Sequence, residues 1–137
     1  MRAFAMRLMH LGLHVYVVDE VTTPGITADD VLVLASGSGK TASLVQYASK
    51  AKEIGATIVL ITAYPDSPVG HHADKVVHIP APTSKAEGKS SSVQSAQPMA
   101  NLFEQSLVLL LDICTLQLMK ALSKTGEQMF AHHANLE

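Results

Sequence analysis

The chain has 137 residues, of which 47% are hydrophobic and 16% charged, and its formal net charge is -2. That apolar fraction supplies one real core and excludes a disordered chain, which needs low hydrophobicity and high net charge. Ten Lys and Arg against twelve acids leave no excess to neutralise a phosphate backbone, so a dedicated nucleic-acid binder is excluded too. One cysteine, Cys114, permits no internal disulfide and suits a reducing cytoplasm. The longest apolar stretch, Leu107 to Leu111, is cut by Asp112, far short of the about 18 residues a spanning helix needs.

In chain order, Phe4, Leu8 and Leu11 fall at i, i+4 and i+7, the stripe of an amphipathic helix that Gly12 is placed to cap. His14 to Val18 (HVYVV) is a short β-branched and aromatic run that predicts a strand, and TTPGITADD a loop. Val31 to Ala35 is a continuous apolar run that suits a strand covered on both faces. It ends in SGSGKTAS, which opens a helix expected over 41–54 and closed by Gly55. Thr57 to Thr62 and Lys75 to Ile79 predict two further strands. PAPTSKAEGKSSSVQSAQP follows as a long loop, of a length that is often functional. A helix from about Met99 to Leu122 is apolar almost all round and expects burial by a partner subunit as well as by the sheet; a short C-terminal helix follows it. Buried strands separated by helices or long crossovers describe an α/β fold with a mainly parallel sheet, whose ligands sit beyond the carboxyl ends of the strands.

Ser36-Gly37-Ser38-Gly39-Lys40-Thr41 lies at such an end. Its glycines let backbone approach an anion, the first helical turn offers free amides, and Ser36, Ser38, Thr41 and Ser43 add hydroxyls. The bland reading is a strand-to-helix turn with serine caps; an oxyanion or phosphate cradle accounts for more of the residues. A nucleotide P-loop is excluded, because G-x-x-x-x-G-K-[ST] needs glycine where Leu34 stands, and no dinucleotide fingerprint fits.

Glu104 sits one turn into the long helix beside Leu102 and Phe103. It reads equally as a desolvated carboxylate suited to general-base work or as a solvated acid favoured by the helix dipole. The seven histidines include no zinc spacing; His10 and His132 or His133 are candidate acid-base groups, though each alone reads more simply as a surface or capping residue. Cys114 reads as a small packed hydrophobe.

AFAMRLMHLGLHVYVV, the TTP loop, SGSGKTASL, KAKEIGA, ADKVVHIPAPT, QPMANLFEQSLVLLLD and the terminal HANLE together resemble the sugar isomerase (SIS) domain family, most closely its 6-phospho-3-hexuloisomerase branch. SGSG-x-T marks the wider family, and the LFEQ and HANLE segments narrow it. The resemblance covers essentially the whole chain and implies one phosphosugar-binding domain over 1–137, a flavodoxin-like three-layer αβα sandwich. It also implies interconversion of 3-hexulose 6-phosphate and fructose 6-phosphate through a cis-enediol, without metal or organic cofactor, in the ribulose monophosphate pathway of the cytoplasm. Carried onto this chain, it makes Glu104 the base, His133 and His10 the candidates for ring opening or proton transfer to oxygen, and Ser36, Ser38, Thr41 and Ser43 the phosphate ligands. Dimers or tetramers are implied, with a phosphorylated sugar as ligand and neither nucleic acid nor membrane as partner. A non-catalytic sugar-phosphate sensor is the alternative, and an inactive remnant a further one.

Three departures from the family pattern stand out. Lys40 replaces the acid of SGSGET, and Ala100 follows QPM where glycine is common. The chain also begins where family members already have a helix, a first central strand and a G-x-G-R-S loop. Lack of that strand would leave inner strands with unpaired backbone, so the 137-residue chain is expected to fold poorly by itself.

Overall fold

The computed structural model describes residues 1–83 and 93–136; the middle of the long loop expected after Ile79 lies outside the described residues. The elements run α1 (Arg2–His10), β1 (Val31–Ser36), α2 (Ala42–Ile54), β2 (Thr57–Thr62), a 3-10 turn (Gly70–His72), β3 (Lys75–His78), α3 (Asn101–Ala121) and α4 (Gly126–Phe130). Two compact units result: Gly25–Leu107, which holds the sheet, and Met1–Pro24 together with Val108–Glu137.

In the first unit the three strands pair in the order β1-β2-β3, all parallel. Register is one-to-one from Val31 opposite Thr57 to Ser36 opposite Thr62, and from Val59 opposite Lys75 to Thr62 opposite His78. This is the α/β class that the apolar runs predict. The core forms where Leu32 and Leu34 of β1 meet Ile58 and Leu60 of β2, with Ala48 and Ala51 of α2 and with Val69. Both alanines are solvent-free, and a side chain of one carbon lets α2 lie close on the strands. Each of the buried leucines and isoleucines contributes about 1.5–3 kcal/mol through removal from water.

Helix α2 ends where the sequence places its end. Gly55 takes φ 93°, its N–H donating to the carbonyls of Ala51 and Lys52, while Ala56 N–H reaches back to Ala51. That left-handed cap satisfies carbonyls that the last turn would otherwise orphan. At the same end of the sheet, Asp74 ties β2 to the helix: Ile58 N–H donates to one carboxylate oxygen at 2.8 Å, and Lys52 holds the other.

The second unit corrects one expectation. His14–Val18 is not a strand, so the described residues hold three strands rather than four. Val15 and Val17 are half-buried, and what they face is α1: with Ala5, Met6 and Met9 they line a cleft of about 400 Å³. A β-branched run expresses strand propensity only beside a partner backbone. Helix α1 ends on Leu11 as its cap residue, with Gly12 next at φ 86°. Arg7 Nε donates to Asp112 Oδ1 of α3 at 2.8 Å. Thr125 opens α4 through a capping box, its hydroxyl accepting from Gln128 N–H while its own N–H donates to the Gln128 side chain.

Helix α3 begins two residues later than the apolar pattern suggests. Val108, Leu109, Ile113 and Leu116 remain 55–66% exposed on it. With a mean hydropathy of 1.5, α3 is long and apolar enough by length and composition to cross a membrane, contrary to the expectation from its interrupted apolar run. Its midpoint nevertheless carries Asp112 in the ion pair with Arg7, a costly group at the centre of a bilayer.

Candidate active site

The carboxyl end of β1 delivers the chain into Ser36–Thr41, and hydrogen bonds inside the loop shape it. Gly39 N–H donates to Ser36 Oγ at 3.0 Å, and Lys40 N–H to Ser38 Oγ at 3.3 Å. Both serines are buried, at 7% and 8% exposure. Ser36 Oγ also lies 3.4 Å from Thr41 Oγ1. Thr41 is the extended residue that starts α2; its side chain caps no backbone amide, so that hydroxyl is not consumed by the helix. Ser43 and Lys40 are exposed. Four of the predicted ligands are thus gathered on one loop and the first turn of one helix, with the positive end of the helix dipole behind them.

The second wall comes from the end of β2, which the sequence showed only as a polar turn. Ser67 is 3% exposed, and a Cβ on Gly39 would stand 2.0 Å from its Oγ. Gly39 takes φ 63°, so both the backbone and the available space demand glycine there. Val69 N–H donates to Gly39 carbonyl at 3.0 Å, and Gly70 N–H to Ser67 Oγ at 3.3 Å. Thr62 Oγ1 accepts from Tyr64 N–H and approaches the Gly37 carbonyl at 3.4 Å. Two loops at neighbouring strand ends therefore brace each other. The signal that could have found Ser67 is its spacing to Gly70, three residues on, in a loop at the ligand end of a parallel sheet.

Glu104 lies in the first turn of α3, exposed, its N–H donating to Ala100 carbonyl. Its carboxylate is exposed in the first helical turn, where the dipole favours an acid. Phe103 before it is 3% exposed and packs toward the Ser36–Thr41 loop, its ring 3.3 Å from where a Cβ of Gly37 would stand.

In the other unit, His10 and His133 come together, ring centroids 5.3 Å apart and inclined by 32°, and Phe130 stacks on His133 at 5.8 Å. His133 Nδ1 lies 2.9 Å from Ala134 carbonyl; a carbonyl only accepts, so the proton sits on Nδ1. Desolvation first, then the neighbouring His133, Arg7 and His132, hold His10 below its ordinary pKa. No cluster of three or more His, Cys, Asp or Glu side chains with metal-binding geometry occurs among the described residues.

Comparison with known proteins adds a second line. Residues 2–108 match the SIS domain family. A Bacillus subtilis protein named 3-hexulose-6-phosphate isomerase is 40% identical over 136 residues, which are 99% of this chain and 72% of that one. A protein of the same name from Mycobacterium gastri is 43% identical over 137 residues, all of this chain and 67% of the relative. Among solved structures, a Methanococcus jannaschii protein superposes with a TM-score of 0.83 at 38% identity, covering 99% of this chain and 71% of its own; 3-hexulose-6-phosphate isomerase is the function inferred for it.

Proposed function

This chain belongs to the SIS domain family and is a phosphosugar isomerase, and we propose that it interconverts 3-hexulose 6-phosphate and fructose 6-phosphate. The reaction moves a carbonyl between C3 and C2. A base takes the proton from C2 of the 3-ketose, the C2–C3 pair becomes a cis-enediol, and the proton returns to C3 while an oxygen-bound proton passes from O2 to O3. Glu104 is the proposed base. The proposed phosphate ligands are Ser36, Ser38, Thr41 and Ser43, with the α2 N-terminus supplying positive potential. His133 and His10 take the ring-opening or oxygen-protonation roles. No step of this chemistry calls for a metal or an organic cofactor.

What supports the reading best is the Ser36–Thr41 loop: its hydroxyls and amides are held by their own hydrogen bonds at the ligand end of a parallel sheet, in a chain about 40% identical to proteins named for that activity. We further read residues 1–137 as one phosphosugar-binding domain acting in the cytoplasm in the ribulose monophosphate pathway. Homo-oligomer formation is part of the proposal, supported by the exposed apolar side chains of α3.

The test is an assay of the 137-residue chain for conversion of 3-hexulose 6-phosphate to fructose 6-phosphate. Turnover is expected from the folded fraction. Thermal stabilisation by fructose 6-phosphate without turnover would instead select the sensor alternative, and the lack of both in a sample shown by circular dichroism to be folded would reject the reading.

A further inference from the structure

Beyond the carboxyl end of β3, Ile79 N–H still donates to Thr62 carbonyl at 2.9 Å and carries the chain, through buried Ala81, to Thr83. Thr83 is half-buried, and its hydroxyl oxygen is shut off from solvent with no hydrogen-bond partner among the described residues. Buried hydroxyls are nearly always paired, and an exception asks for a reason. Its position supplies one. The Thr83 methyl lies 3.0 Å, and the Phe103 ring 3.3 Å, from the point where a Cβ on Gly37 would stand. Thr83 therefore closes on the phosphate loop at Gly37 from one side, while the residue preceding Glu104 closes on it from another. Glycine at position 37 leaves that point clear, because any side chain there would meet both neighbours.

We propose that the Thr83 hydroxyl is a substrate contact: a turn about χ1 brings it out to pair with an oxygen of the bound sugar phosphate, fixing the substrate between the phosphate loop and the Glu104 turn. The assignment rests on the phosphosugar-isomerase reading. It adds a residue from the third strand end to the ligands of the first. Among the described residues nothing pairs with this hydroxyl, which leaves it for the ligand. Its loss therefore weakens binding rather than folding, and it weakens ground state and transition state alike.

Thr83→Val is the test, since it replaces the hydroxyl by a methyl of similar shape; Thr83→Ser is the control that restores the oxygen. The expected result for Thr83→Val is a KM raised about tenfold, the loss of one neutral hydrogen bond, with kcat held within about twofold. Its melting temperature without ligand should match the parent's, and its stabilisation by fructose 6-phosphate should shrink. Thr83→Ser should recover KM. Inorganic phosphate, run in parallel, identifies the oxygen. Lost stabilisation by both ligands marks a phosphate oxygen, loss with fructose 6-phosphate alone marks a sugar hydroxyl, and either result supports the contact. An unchanged KM and unchanged ligand stabilisation overturn it. So does a fall in ligand-free melting temperature that Thr83→Ser repairs, because the hydroxyl would then be serving the fold. If the parent chain neither turns over nor is stabilised by fructose 6-phosphate, the isomerase reading fails first and this contact falls with it.

Discussion

His10, at the last position of α1, and His133, three residues past the end of α4, place their imidazoles 5.3 Å apart, with Arg7 and His132 as further positive neighbours. Desolvation disfavours a proton on His10, and the neighbouring His133 adds to the effect. His10 in the unfolded chain titrates near 6.5, and folding lowers that value. The unfolded state therefore binds more protons in mild acid, and stability must fall as pH drops below 6.5. His10→Gln should flatten this limb while leaving stability at pH 8 close to the parent's. Melting temperatures at half-unit steps from pH 5 to 8 check it; parallel curves for parent and variant would contradict the coupling.

Glu104→Gln keeps the size of the side chain and removes its capacity to take a carbon-bound proton. Turnover should fall by about a thousandfold or more, in line with the usual contribution of a positioned acid-base group. Thermal stabilisation by fructose 6-phosphate should persist. Retained turnover would remove Glu104 from the chemistry.

Gly39→Ala tests the brace between the two loops. The new methyl would stand 2.0 Å from Ser67 Oγ and 2.5 Å from its Cβ, on a residue at φ 63°. Overpacking and a left-handed alanine together should cost about 2–4 kcal/mol. A urea midpoint within error of the parent's would show that Ser67 can move aside.

Asp74 is held below the ordinary carboxylate pKa, first by the hydrogen bond from Lys52 and then by Ile58 N–H. A depressed folded value means stability that is present above the unfolded value of 3.8 and lost as pH falls through the folded one. Asp74→Asn should therefore be less stable than the parent at neutral pH and show a shallower acid limb, read by denaturant midpoints at pH 7 and pH 3.

Strands β1 and β2 were legible because an apolar run bounded by polar turns admits few other readings in an α/β chain. Helix α2 was legible because Gly55 marks its end. His14–Val18 misled for the opposite reason: five residues of the right type form a strand only where another backbone lies beside them, and here Val15 and Val17 face α1 across a cleft. Composition around Glu104 was balanced between buried and solvated, and only the packing of Phe103 inward decides that its neighbour faces out. Ser67 offered only its spacing to Gly70, and Thr83 was out of reach. Nothing near them in sequence says that Gly39 will rest on one and Gly37 beside the other; those contacts join strand ends more than 25 residues apart.

Parallel pairing gives the sheet unit two unlike poles. At one pole lie Ser36–Thr41, Ser67 and Thr83; at the other, Thr57 N–H donates to Asp30 carbonyl, Asp74 N–H to Ile58 carbonyl, and Gly55 closes α2. Fastenings dominate the second pole, whereas at the first the Gly39–Ser67 brace shares its place with the groups proposed to meet a ligand. Sequence drift at the fastening pole registers as a lowered melting point with catalysis intact per folded molecule, whereas drift at the other, the Gly39–Ser67 brace apart, registers as altered kinetics in a sound protein. A mutational survey of this chain should therefore split into two populations by phenotype, and the strand end nearest each substitution should predict which one it joins.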